Sequence, residues 1–174
     1  MGIEHGILEY QRHVWVKAHP AAKVVPVGVG AGGDEALREF TRRFDGVDRA
    51  SPVVGEEERK AARAVVPGEV IHDLEFAADR IREYARLQLD AISEVEEEIL
   101  PGVVVGHRLL PLQSVGVYVP GGRHPLPSTA LMGIIPAREA GVERVAACSP
   151  PDGSGGINPY TLVAMEIAGA DEIY

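Results

Sequence analysis

The chain has 174 residues, 26 Asp and Glu against 17 Lys and Arg, a formal net charge of −9, and 45% hydrophobic and 25% charged residues. Such a length suits one domain, or one and a fraction, and the composition is globular, not disordered. The acidic balance excludes nonspecific nucleic-acid binding, which needs a basic face. It also disfavours anionic membrane surfaces and is accounted for by solubility.

Cys148 is the single cysteine, so no internal disulfide forms and nothing points to an oxidising compartment. No apolar run reaches the roughly 18 residues that a membrane helix needs. The opening MGIEHGILEYQRHVW lacks a basic region followed by an apolar core, so no signal peptide is read there. The expected compartment is the cytoplasm.

Residues 1–32 read as a poorly patterned arm. Within it, AAKVVPVGVGAGG fits either a strand and loop or a flexible segment. From Gly33, GGDEALREFTRRFDG predicts a short amphipathic helix. Asp34 is placed to cap it, Leu37, Phe40 and Phe44 share one face, and Gly46 stops it. GEEERKAARAVV, residues 55–66, predicts a second helix that Pro67-Gly68 ends. HDLEFAADRIREYARLQLDAISEV predicts a long amphipathic helix. Its core face reads Leu74, Ala77, Ala78, Ile81, Tyr84, Ala85, Gln88 and Ile92, with Arg80, Arg82, Glu83 and Arg86 outside. Glu94, Glu96, Glu97 and Glu98 read as a solvated acidic run at its end.

After Pro101-Gly102 the period changes. VVVGHRLLPLQSVGVYVP reads as two β-branched strands joined by a short turn. Helix (STALMGIIPAREAG), strand (RVAACSP), glycine-rich loop (DGSGG), helix (NPYTLVAMEIAGA) and a last strand (EIY) follow. This alternation predicts an α/β fold: an N-terminal helical segment, residues 33–100, then an incomplete Rossmann-like parallel β-α-β-α-β unit, residues 101–174.

Chemistry concentrates in SVGVYVPGGRHPLPSTALMG, residues 114–133. Ligands of parallel α/β sheets bind at the carboxyl ends of strands, and Tyr118-Val-Pro-Gly-Gly occupies such an end. Gly121 and Gly122 lack Cβ atoms, so a phosphate or ribose can approach the backbone. Ser128 and Thr129 open a helix whose N-terminus favours an anion. A tight corner with a Ser N-cap fits the same pattern, and the two readings stay open here. The loop is neither GxGxxG nor a P-loop. His107 and His124 flank the strand region without metal spacing. SPPDGSGG, on the same sheet edge, reads as a flexible turn or a second wall of the cleft. Cys148, inside an apolar strand, reads as a packed thiol and not a nucleophile.

The V-G-x-Y-x-P-G-G element, followed by P-L-x-S-T and C-S-P-P, resembles the histidinol dehydrogenase family. GDEALREFTRRFDG and the terminal AGADEIY extend the likeness from about residue 33 to the end. The resemblance implies an enzyme that oxidises L-histidinol to L-histidine in two NAD-dependent hydride transfers, with a substrate-orienting zinc, as a homodimer. It implies that Tyr118 contacts NAD, that Pro120, Gly121 and Gly122 lie along the cofactor, and that Ser128 faces the substrate. Zinc ligands and the Glu-His general base are expected beyond residue 174, so this chain carries the N-terminal part and is expected to be inactive alone. Two alternatives remain: a related alcohol dehydrogenase such as a sulfopropanediol dehydrogenase, and a non-catalytic nucleotide-binding or dimerising remnant.

Overall fold

The computed structural model describes residues 24–121 and 124–174. The expectations for residues 1–23 and for Gly122 lie outside the described residues. The chain divides into two compact units, Met1–Pro52 and Val53–Tyr174.

In the first unit, helix α1 spans Val24–Asp45 with a break at Gly33, whose φ of 56° and ψ of −143° interrupt the helix. Residues 24–32 are therefore helical, where the pattern suggested a strand and loop or an arm. The glycines that blurred the period sit on helix ahead of the break. Beyond Gly33 the expected face forms: the Phe40 and Phe44 rings stack with centroids 6.0 Å apart, although Phe44 stays exposed. Gly46, at φ 71°, ends the run.

The second unit begins with α2, Glu56–Val65. Three glutamates fill its first turn, where the helix dipole favours them. The Glu58 carboxylate accepts from the Gly55 N–H at 3.3 Å. Helix α3 spans Gly68–Asp90 and buries Ala78 and Ala85, with Leu74, Ala77 and Ile81 packed at the core margin. Tyr84 and Ile92, expected on that face, are exposed, as is Gln88. Arg82 instead turns partly inward. The buried stripe passes through Ala78 and Ala85, and Tyr84 lies one residue, about 100°, off it.

The acidic run is not a helix end. Val95–Leu100 forms strand β1, paired antiparallel with β2, Val103–His107. The turn is Pro101-Gly102, with Gly102 at φ 81°. Pairing with the β-branched Val103–Val105 overrides the poor strand propensity of glutamate. The two strands expected to be joined by a short turn therefore belong to different sheets.

The second sheet holds β3 (Ser114–Tyr118), β4 (Arg144–Cys148) and β5 (Glu172–Ile173), parallel and in that order. Helix α4, Pro127–Glu139, connects β3 to β4, and α5, Pro159–Ala168, connects β4 to β5. Helices α4 and α5 pack on each other, α3 packs on both, and α2 packs on α5. One face of the sheet thus carries the core: Val145, Ala147 and Ile173 meet Leu131, Ile134, Ile135, Val163 and Met165, all buried. On the other face Ser114, Gly116, Tyr118, Arg144 and Cys148 are exposed. A Cβ on Gly133 would lie 2.6 Å from Val117 Cγ1, so glycine there lets α4 approach β3. The Val54 N–H donates to the Ile173 carbonyl at 2.8 Å, tying the start of this unit to its last strand. No helix among the described residues is long and apolar enough to cross a membrane.

Candidate functional site

The carboxyl ends of the three parallel strands are held level by bonds that continue the ladder. The Val119 N–H donates to the Cys148 carbonyl at 2.8 Å, and the Ser149 N–H to the Tyr174 carbonyl at 3.1 Å. The two loops leaving β3 and β4 therefore start side by side. A Cβ on Gly121 would fall 2.5 Å from Ser149 Oγ and 3.0 Å from the Pro150 carbonyl oxygen. That side of Gly121 is already occupied by protein, so its bare backbone closes one loop on the other. We expect Gly121→Ala to destabilise by about 1–3 kcal/mol through overpacking. Adding Ser149→Gly should restore part of the loss, as read by thermal melting.

The β4–α5 loop is built, not loose. Asp152 Oδ1 accepts from the Ser154 N–H at 2.8 Å and from the Ser154 hydroxyl at 2.6 Å. The Asp152 N–H donates to the Gly156 carbonyl at 2.7 Å. Asn158 Oδ1 then caps α5 by accepting from the Tyr160 N–H at 3.0 Å. An aspartate that bonds the backbone two residues on is a recognised turn former, and Asp-Gly-Ser was the signal in the sequence for this organisation.

Tyr118 projects from the end of β3 with 54% of its surface exposed. In register it pairs with Cys148, so both lie on the open face. Cys148 is exposed, not packed as its apolar strand suggested, because strand alternation carries it to the face opposite the buried Val145 and Ala147. Desolvation by its neighbours nevertheless pushes the thiol above its ordinary pKa, which is the wrong direction for a nucleophile. Pro120 and Gly121 are half-buried. Ser128 is exposed in the first turn of α4. It is not the N-cap: Leu126 holds that position with no side-chain cap bond, and Pro127 follows. Leu126 thus leaves the first turn of α4 without a side-chain cap, at the end of a helix that favours an anion.

Further along the open face, Arg144 grips Glu172 with two bonds of 2.9 and 2.8 Å. The Tyr174 hydroxyl donates to the same carboxylate. These bonds hold Glu172 below the usual carboxylate range and raise Arg144 and Tyr174. His107 belongs to β2, in the other sheet, and donates from Nε2 to the Ser93 carbonyl at 2.8 Å, while His124 is exposed. A cleft of about 500 Å³ between α2, α3 and α5 also lies away from the strand ends. Its charges largely neutralise one another: Arg63 meets Glu75 at 3.3 Å, and Arg82 meets Asp79 at 2.7 Å. Among the described residues no group of three or more His, Cys, Asp or Glu side chains could hold a metal ion.

This is an α/β unit whose loops converge at the carboxyl ends of a parallel sheet, the position at which such folds bind ligands. A profile of the family described as histidinol dehydrogenase matches residues 12–174. The chain belongs to the histidinol dehydrogenase family. It is 46% identical to the histidinol dehydrogenase of Methanosarcina mazei over 142 residues, 82% of this chain and 33% of that protein. It is 36% identical to the sulfopropanediol 3-dehydrogenase of Ruegeria pomeroyi over 87% of this chain and 34% of that one. The crystal structure of histidinol dehydrogenase from Elizabethkingia anophelis superposes with a TM-score of 0.80 at 33% identity, covering 90% of this chain and 36% of that one. The chain therefore spans about a third of the length of the curated relatives it matches.

Proposed function

We propose that this chain forms part of an NAD-dependent alcohol dehydrogenase of histidinol dehydrogenase type. In this reading it oxidises L-histidinol to L-histidine in histidine biosynthesis, as a cytoplasmic homodimer. The observation that carries the reading is the exposed Tyr118 at the carboxyl end of β3, leading directly into Pro120 and Gly121. In this reading the Tyr118 ring and hydroxyl contact NAD, and Pro120, Gly121 and Gly122 line its path. Ser128, exposed beside the uncapped start of α4, faces the substrate. NAD, when bound, supplies the hydride acceptor.

Zinc, which the family implies, does not fit the residues described here, since none of their clusters could hold a metal. No step through a metal is assigned to them. The chain supplies one wall of a cofactor site and is expected to turn over no histidinol by itself. In an enzyme carrying this segment at full length, Tyr118→Ala should raise the Kd for NAD about threefold to tenfold, the value of one aromatic contact. Titration calorimetry reads this directly, and Tyr118→Phe separates the ring from the hydroxyl. An unchanged affinity in Tyr118→Ala would overturn the cofactor assignment.

A further inference from the structure

The two loops that meet at the carboxyl ends of β3 and β4 are rich in proline. Pro120 stands in the first, and Pro150 and Pro151 in the second. Proline has no N–H, so these walls offer a ligand fewer backbone donors than a glycine-rich phosphate loop, whose amides point at the anion. Several of the amides that remain are already spent. Val119 and Ser149 donate theirs to the Cys148 and Tyr174 carbonyls, and Asp152 donates to the Gly156 carbonyl. Along this edge a polar ligand depends largely on side-chain donors.

Ser149 is placed to be one. Its N–H is fixed on the Tyr174 carbonyl at 3.1 Å, and Pro150 behind it restricts its backbone to extended conformations. The side chain is thereby held against the bare face of Gly121, with Oγ 2.5 Å from the point that a Cβ on that glycine would occupy. Among the described residues its hydroxyl makes one hydrogen bond, to the Pro150 carbonyl at 3.5 Å. An O–H···O bond is ordinarily about 2.7–2.8 Å long, so this hydroxyl keeps most of its capacity of one donor and two lone pairs. Ser154, on the same loop, differs: its hydroxyl is committed to Asp152 at 2.6 Å. Ser149 is half-buried and follows Cys148, the register partner of Tyr118. It therefore leaves the sheet one strand away from the tyrosine and one residue further on.

We propose that Ser149 is a second contact residue of the cofactor site, its hydroxyl donating to an oxygen of the dinucleotide's sugar–phosphate backbone. Gly121 lets the two loops close on each other, and this closure brings the Ser149 hydroxyl up to the path that the cofactor takes along Pro120 and Gly121. The serine then supplies the donor that a glycine-rich loop takes from its own amides. Tyr118 offers a broad aromatic surface, whereas a hydrogen bond from Ser149 fixes direction, since it weakens steeply when bent. The inference rests on the NAD reading above and deepens it by adding a polar anchor on the neighbouring strand.

The test is the Kd for NAD, by titration calorimetry, of a full-length enzyme carrying this segment. Ser149→Ala removes the hydroxyl alone and should raise that Kd about threefold to tenfold, the worth of one hydrogen bond, with an unchanged melting temperature in the absence of NAD. ADP-ribose, which keeps both sugars and the pyrophosphate but lacks nicotinamide, should show the same loss. If Ser149→Ala melts lower, Ser149→Cys takes its place: it keeps a side chain against Gly121 with only a weak donor, and should weaken NAD by a similar factor. An unchanged Kd in a folded variant overturns the inference and leaves Ser149 as a spacer between the loops. So does a loss seen with NAD and absent with ADP-ribose. Tyr118→Ala, measured alongside, keeps the outcomes apart. If it weakens NAD while the Ser149 variants do not, this contact alone falls; if neither does, the cofactor assignment falls with it.

Discussion

An Ile134→Ala chain is expected to lose about 2–5 kcal/mol of folding stability, the usual cost of emptying a fully buried branched side chain. Ile134 has no accessible surface and lies in one cluster with Leu131, Ile135, Val145 and Met165, at the contact of α4 with the sheet and α5. Among the described residues of this unit, α4 and α5 cover one face of the parallel sheet, and its buried apolar residues gather there. A domain of this size has roughly 5–15 kcal/mol in total, and the variant should unfold at a much lower urea midpoint with little change in slope. The control is Met132→Ala, two residues away and 58% exposed. It should change stability by less than about 0.5 kcal/mol. Equal effects at the two positions would show that α4 presents a different face to the sheet.

The second large effect is expected at Arg138, which ties both crossover connections together. Its guanidinium donates to the carbonyls of Gly169 at 2.8 Å, Glu143 at 3.0 Å and Val142 at 3.3 Å. It also pairs with Asp171. Asp171 Oδ2 in turn accepts from the Val145 N–H at 2.7 Å. One side chain therefore joins the end of α4, the end of α5 and the starts of β4 and β5. Arg138→Ala should cost about 2–3 kcal/mol, since hydrogen bonds to charged groups are the stronger ones. Arg138→Lys should recover little, because an ammonium cannot span the same fork.

The same network has a pH signature. The hydrogen bond from Arg138, and then that from the Val145 N–H, holds Asp171 below the usual carboxylate range. The folded state therefore binds this proton more weakly than the unfolded chain, where an aspartate titrates near pH 4. The contribution is complete above that pH and is lost as pH falls through the lower folded value. Asp171→Asn should reduce stability at neutral pH and flatten the acid limb of a stability profile between about pH 2 and 6. Glu172, lowered by Arg144 and Tyr174, should leave a residual slope.

The sequence made the alternation of helix and strand after Ser114 legible because each element there is bounded by a strong local signal. Pro127 opens α4, Gly141 closes its turn at φ 85°, and Gly169 ends α5 at φ 91°. The β1 strand was not legible, because four glutamates near a helix end carry no local strand signal. That strand exists through pairing with β2. Helical phase was read correctly at Leu74, Ala78 and Ile81 and at the buried Ala85, but drifted at Tyr84, where an aromatic ring looked like core. At the site, the family resemblance singled out Tyr118 and the Pro-Gly-Gly turn. The packing of Gly121 on Ser149 and Pro150 was beyond pattern reading, since it joins residues far apart in sequence that meet when the sheet forms.

The bond between the Val54 N–H and the Ile173 carbonyl bears on the order in which the molecule assembles. Strand β3 pairs with β4 and β4 with β5, each with the next strand along the chain, so the sheet can grow by successive crossover closures as residues become available. The Val54 contact closes a loop that encompasses the whole unit, with the largest entropy cost of any backbone bond described here. It becomes favourable only when β5 is already in place on β4. Residue 54 is thus among the first parts of this unit to be synthesised and among the last to find its partner. Until then the segment that leads into α2 lacks its bond to β5, and the early part of this unit waits on residues more than a hundred positions further along.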